Sequence, residues 1–311
     1  MSIYAGNTKV SAVYIGNAKA RMVFSGTTLV WPEVVYWDWD PADNVSDWTE
    51  TSNIDITDEV DGLRFTIGPS ANGFGDLHMD SYGIADKKFY KVTIKTGTSS
   101  ASPFSTNLAW TGTNKPYPSP PATLADNSTD SDYYRGTGAS FTFRPFRFGG
   151  AVGSYNTLEE FRVDELEETS VYDTVNLANW TRGGTGTGSE SESPTGQLNF
   201  VNSAGSNFWD LDVQTCESST LYWVGAYVWT TGDPSTAILR IIDNTGGSDT
   251  ILGNVDLVAG GYEDTPGYAG LFVTTGADAD EIRIQLRLQT SGGSDQIKGT
   301  KFEIFKIVDN T

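Results

Sequence analysis

Past Pro32 the chain is written twice. Asn44-Val45-Ser46-Asp47-Trp48-Thr49 returns as Asn176-Leu177-Ala178-Asn179-Trp180-Thr181, and Gly62-Leu63-Arg64-Phe65 returns as Gln197-Leu198-Asn199-Phe200. Phe74-Gly75-Asp76-Leu77 falls on Phe208-Trp209-Asp210-Leu211, and Phe89-Tyr90-Lys91-Val92 on Leu221-Tyr222-Trp223-Val224. Late in each copy, Phe141-Thr142-Phe143 meets Ile282-Arg283-Ile284, and Phe161-Arg162-Val163-Asp164 meets Phe302-Glu303-Ile304-Phe305. Six anchors keep one order while their offset drifts only from 132 (Asn44 to Asn176) to 141 (Phe161 to Phe302). That implies a duplicated unit of about 135 residues, so the chain divides into 33–168 and 169–311 behind a short leader.

Each copy consists of short alternating runs cut by Gly, Ser, Asn and Asp clusters, the pattern of a β-sandwich. The clearest strands are 237–242 and 281–288. In the latter, Ile282, Ile284, Leu286 and Leu288 share one face while Arg283, Gln285 and Arg287 share the other. Only 155–162 hints at a helical period. Thirty-four glycines, 12% aromatics and a charged fraction of only 19% agree with turn-rich sheet rather than helical bundles. The fold class expected is all-β: a small N-terminal meander and two tandem sandwiches.

Charge and scarce residues exclude whole function classes. Twenty basic against forty acidic residues leave a net charge of −20, which repels phosphate backbones and anionic headgroups, so neither nucleic acid nor a membrane surface is an expected partner. No apolar run approaches the roughly 18 residues of a membrane span, so no insertion is expected, and the first ten residues lack the features of a secretory signal. Cys216 and His78 stand alone of their kinds, which removes disulfides, Cys-rich zinc sites, redox pairs and most His-based catalysis. Cys216 reads as a small buried hydrophobe and His78 as a strand residue.

The leader is itself a repeat of period ten. Ile3-Tyr4-Ala5-Gly6-Asn7, Val13-Tyr14-Ile15-Gly16-Asn17 and Val23-Phe24-Ser25-Gly26-Thr27 follow one another, and Leu29-Val30-Trp31-Pro32 closes the series. Gly-Asn supplies the positive φ of a two-residue hairpin turn, so strands are expected near 2–5, 8–15, 18–25 and 28–31. So few large apolar groups cannot cover a core of their own, and the segment must dock on a copy of itself or on a larger acceptor.

These three units and their terminator resemble the N-terminal segments of tailed-bacteriophage virion proteins, the minor tail, fibre and spike proteins above all. The resemblance covers about a tenth of the chain. It implies that Tyr4, Gly6, Asn7, Tyr14, Gly16, Asn17, Phe24, Gly26 and Trp31 attach the protein to a particle. The two copies behind it resemble jelly-roll carbohydrate-binding modules in their opening Asn-x-x-x-Trp-Thr and in the strong final strand Phe161-Arg162-Val163-Asp164-Glu165. Such modules often join first and last strands through a calcium ion, which would recruit Asp38, Asp40 and Asp43 together with Asp164. In the second copy the closing acid falls later.

A sugar offers flat C–H faces to aromatic rings and hydroxyls to amides, carboxylates and guanidinium groups. Candidates for that contact are aromatics set among polar loops: Trp110, Tyr117, Tyr133 and Tyr134 in the first copy, and Trp229, Tyr262 and Tyr268 in the second. Trp48, Trp180 and Tyr222 occupy duplicated positions and are assigned to packing. No GxSxG, HExxH, phosphate-binding or dinucleotide motif is present, and sequence elevates no carboxylate pair above the chance pairs that forty acids create, so no enzyme is expected. The expectation is a structural virion protein exposed on the particle surface, with other virion proteins, a host glycan and further copies of itself (three by preference) as partners. A decoration or spacer without a ligand, and an extracellular glycan-degrading enzyme, are the alternatives.

Overall fold

The computed structural model describes residues 152–245, 248–290 and 294–309, with Phe161 and Val163 in backbone alone. Ahead of these it describes 62–68, 88–100, 126–136 and the backbones of the strands named below. The chain is all-β, and among the described residues the strands pair antiparallel, as Phe89–Ser99 does with Tyr155–Thr174. Among the described residues the helical element is one 3-10 turn, Leu177–Asn179, whose cap Asn176 accepts from the Ala178 amide at 3.0 Å. No helix among them is long and apolar enough to cross a membrane.

The leader forms three separate strand pairs: Tyr4–Ala5 with Thr8–Lys9, Tyr14–Ile15 with Ala18–Lys19, and Met22–Ser25 with Thr28–Pro32. Their innermost partners are Ala5 and Thr8, Ile15 and Ala18, Ser25 and Thr28. Two residues separate the innermost partners of each pair in sequence, Gly-Asn in the first two and Gly-Thr in the third.

The two copies pair their strands alike. In the first, Gly62–Ile67 lies between Ile54–Glu59 and the last strand, with Leu63 opposite Leu158. In the second, Leu198 and its neighbours lie between Thr187–Glu192 and the last strand, with Leu198 opposite Gly299. Phe89–Ser99 is flanked by Thr129–Arg135 and the last strand, as Leu221–Thr231 is by Gly267–Thr274 and the last strand. Even an irregularity recurs: the register slips between Lys95 and Thr96 against Glu160 and Leu158, and again between Tyr227 and Val228 against Lys301 and Gly299. These positions correspond at the same offsets as the sequence anchors.

One strand serves both copies. Tyr155–Thr174 runs 20 residues without interruption. Its early part closes the first copy, where Phe161 faces Trp39 of the opening strand Val35–Trp39. Its late part opens the second, where Thr174 faces Phe302 of Asp295–Val308. The boundary expected at 168 falls inside this strand. The helical period suggested at 155–162 is overruled by sheet pairing on both edges, since tertiary contacts outweigh weak local preference.

In the second copy two sheets enclose one core. Leu198, Phe200, Tyr222, Val224, Ala226, Phe302 and Ile304 of one layer meet Trp209, Leu239, Ile241, Ile282, Ile284, Leu286 and Leu288 of the other, all 1% exposed or less. Trp180 wedges between Phe200 and Phe302, with ring centroids 5.0 and 4.8 Å away. The expected inward face of 281–288 is the observed one.

Candidate functional site

Of the expected sugar-binding aromatics, Tyr262 lies in the loop between Ser248–Asp256 and Gly267–Thr274, while four others sit in strands. Tyr133 and Tyr134 belong to Thr129–Arg135, Trp229 to Leu221–Thr231 and Tyr268 to Gly267–Thr274. Tyr133, Tyr134 and Tyr268 are drawn to a seam between the two copies or beneath it. Tyr134 is 1% exposed and presents no surface to a ligand. Tyr133 stacks on Phe272 at 5.6 Å, and its hydroxyl donates to Asp309 at 2.8 Å. Tyr262 donates to the Tyr268 carbonyl and packs on the second core. Trp229 is half-buried on the outer face of its sheet, opposite Lys298. Trp110 is described in backbone alone, opposite Phe143, and Tyr117 lies outside the described residues.

The seam explains this placement. Strand Leu221–Thr231 is apolar on both faces because both are covered. Tyr222, Val224, Ala226 and Val228 point into the core, while the outer Trp223 is 0% exposed beneath the first copy. Its indole lies across the paired Gly225 and Gly270, where an added Cβ would come within 2.8 and 2.7 Å of ring carbons. Phe89 fits among Trp223, Phe272 and Phe305, and Arg135 descends from the first copy to place its guanidinium 4.0 Å above the Tyr268 ring. That group donates from Nη2 to Glu303 at 3.2 Å, and Nε lies 3.2 Å from the second carboxylate oxygen. Trp223 Nε1 also donates to Glu303, at 3.4 Å, and Lys301 Nζ stands 2.7 Å from it. Burial opposes the Lys301 charge, but Glu303 and Tyr268 outweigh it and raise the ammonium above its ordinary range. Glu303 thus gathers Arg135, Trp223 and Lys301 at one buried carboxylate. The junction buries one aromatic face of the second copy.

The expected metal ligands are divided. Asp38 pairs in backbone with Arg162, and Val35 with Asp164, so first and last strands are neighbours. The Asp164 carboxylate is 2% exposed, with Arg162 Nε donating to it at 2.7 Å. Asp40 and Asp43 lie outside the described residues, and among those described no three His, Cys, Asp or Glu side chains gather as a metal site. Of the attachment residues, Tyr4, Tyr14, Phe24 and Trp31 fall on the leader strands, whereas Gly6, Asn7, Gly16, Asn17 and Gly26 lie outside the described residues.

The opposite layer of the second copy presents an open face that the sequence did not single out. Strands Ser248–Asp256, Thr236–Thr245, Glu281–Thr290, Leu198–Leu211 and Trp180–Gly184 lie side by side. Their register sets Asn254, Arg240, Gln285, Asp210 and Thr181 in a single row across five strands. Arg240 Nε donates to Asn254 Oδ1 at 2.9 Å and Nη1 to Gln285 Oε1 at 3.5 Å, and Gln285 Nε2 donates to Asp210 Oδ1 at 2.8 Å. The next row holds Ile238, Arg287, Phe208 and Gly183. Phe208 lies down over Gly183, since any Cβ there would run into its ring. Burial pushes the Asp210 carboxyl up, Asp249 adds to this, and Gln285 and Arg283 oppose it. The face thus joins a partly buried aromatic ring to a line of amide, guanidinium and carboxylate groups, in which Gln285 is 7% exposed. Sequence showed the polar phase of 281–288 but could not tell which side chains of other strands would stand beside it.

No protein-family model matches the chain, and no curated protein matches it. Solved structures do. The N-terminal CBM22-1-CBM22-2 tandem domain from Paenibacillus barcinonensis Xyn10C is 9% identical, with a TM-score of 0.32 over 88% of this chain and 97% of that one. A xylan-binding module, CBM15, is 13% identical, with a TM-score of 0.31 over 47% of this chain and 99% of that one. The enzymatically active domain of bacteriophage CBA120 tailspike protein 4 is 14% identical, with a TM-score of 0.31 over 43% of this chain but only 20% of that one. At these TM-scores the likenesses carry no argument about what this chain does.

Proposed function

We propose that this protein is a surface-exposed structural component of a tailed-phage virion, held by residues 1–32, whose two sandwiches (33–168 and 169–311) present it to a host glycan. The observation that carries glycan recognition is the open face of the second copy. There, the hydrogen-bonding row Asn254–Arg240–Gln285–Asp210 runs beside the flat ring of Phe208. Sugar hydroxyls pair with amides, guanidinium groups and carboxylates while their C–H faces stack on an aromatic, and both needs are met within two adjacent rows. The role is binding rather than catalysis, and repetition on a particle would turn a weak site into firm adhesion. The tandem Gly-Asn units closing on Trp31-Pro32 support the attachment half of the proposal.

The test is a microarray of bacterial capsular and O-antigen polysaccharides probed with the full chain. Wild type is expected to bind a subset, and Phe208→Ala or Gln285→Ala, folded by circular dichroism, to lose it. A chain that binds none, or binds regardless of these substitutions, overturns the proposal in favour of a ligand-free spacer. Release of reducing ends from a bound polysaccharide would show an enzyme instead. Deleting 1–32 is expected to spare binding while abolishing incorporation into particles.

A further inference from the structure

We infer that the ligand of this face carries an anionic group, received between Arg240 and Arg287; this deepens the glycan-binding reading and rests on it. Arg240 stands opposite Gln285, and Arg287 opposite Ile238, so the two arginines stand one diagonal step apart on neighbouring strands, on one face of the sheet. Each of the other arginines whose side chain is described (Arg64, Arg135, Arg162, Arg182 and Arg283) has a carboxylate within 4.0 Å. Arg240 touches neutral amides alone, and Arg287 has neither hydrogen bond nor ion pair among the described residues. In a chain with twice as many acids as bases, two adjacent arginines without a carboxylate depart from the pattern.

The three acids nearby are already engaged. Asp249 holds Arg283 at 2.6 Å, Asp210 accepts from Gln285 at 2.8 Å, and Asp256 accepts from the Val258 and Ala259 amides at 2.9 Å. Burial first, and then the charge of Arg287, lower the proton affinity of Arg240, so the pair is held together at a cost that an anion would relieve. The net charge of −20 does not forbid this, because at physiological salt charges beyond about 8 Å are largely screened and the local pair decides. Guanidinium forks match carboxylate, sulfate and phosphate oxygens in pairs, and a uronic acid or an acid-substituted sugar brings such oxygens beside the hydroxyls that the row would read.

The experiment measures affinity of the full chain for uronate-containing oligosaccharides, for the same oligosaccharides after carboxyl reduction, and for sulfated and phosphorylated counterparts. The acidic members are expected to bind about ten- to a hundredfold more tightly than the reduced ones, with the preference fading at high salt. Arg287→Gln and Arg240→Gln should each collapse that ratio, and which acid wins assigns the group. Equal affinity for acidic and reduced members overturns this inference while leaving glycan binding standing; binding of none overturns both. A preference that survives both substitutions in folded protein would place the anion elsewhere and also overturns the inference.

Discussion

Replacing Arg135 by Met removes a guanidinium that crosses from the first copy into the second to meet Glu303. Arg135 is 1% exposed and Glu303 0%, with Nε 3.2 Å from the carboxylate. At an effective dielectric of about 20, charges that far apart attract by roughly 5 kcal/mol, and stripping one member from a buried pair commonly costs about 3–5 kcal/mol. The two members are not equivalent, because Lys301 stands 2.7 Å from Glu303 and would still neutralise it. Arg135→Met should therefore fall at the lower end, about 3 kcal/mol. Glu303→Gln strands two cations and leaves one acceptor oxygen where Arg135, Lys301 and Trp223 Nε1 had shared two, so it should reach about 5 kcal/mol. Combined, the two changes should cost about 1–3 kcal/mol less than their sum, because both remove the same Arg135–Glu303 contact, which can be lost only once. Urea unfolding followed by tryptophan fluorescence reads all three, with Trp223 as reporter at the pair. Losses under about 1 kcal/mol for both single variants, or strict additivity, would refute the reasoning and show that the halves are held by apolar contact alone.

Other expectations follow from the same geometry. Trp180→Ala should cost about 3–5 kcal/mol by calorimetry or denaturant, because its cavity opens between Phe200 and Phe302; a loss below 1 kcal/mol would mean the site collapses onto itself. Burial and the Asp309 hydrogen bond push the Tyr133 hydroxyl up from 10.0 to about 12. A raised folded value stabilises fully below the unfolded one, so its contribution should disappear as pH climbs from 10 to 12, and Tyr133→Phe should flatten that limb of the stability profile. Gly183→Val should force the Phe208 ring off the sheet and reduce glycan binding as Phe208→Ala does; unchanged binding would mean the flat ring is not the platform. Burial holds the Cys216 thiol up at about 11, so alkylation by iodoacetamide near pH 8 should be slow until the chain unfolds.

Local alternation and repetition were enough to establish the all-β class, the inward face carrying Ile282, Ile284, Leu286 and Leu288, and the packing role of Trp180 and Tyr222. They suffice because side-chain direction in a strand has a period of two, which a sequence displays directly. Tertiary structure alone decided what lies outside each sandwich. Tyr268 looks like a recognition residue until Arg135 of the other copy comes down upon it. Arg240 gains its meaning only when pairing sets it beside Gln285 and a step from Arg287. Such neighbours are more than forty residues apart along the chain. Cross-strand register is set by the whole folded sheet, so no local pattern could have announced them.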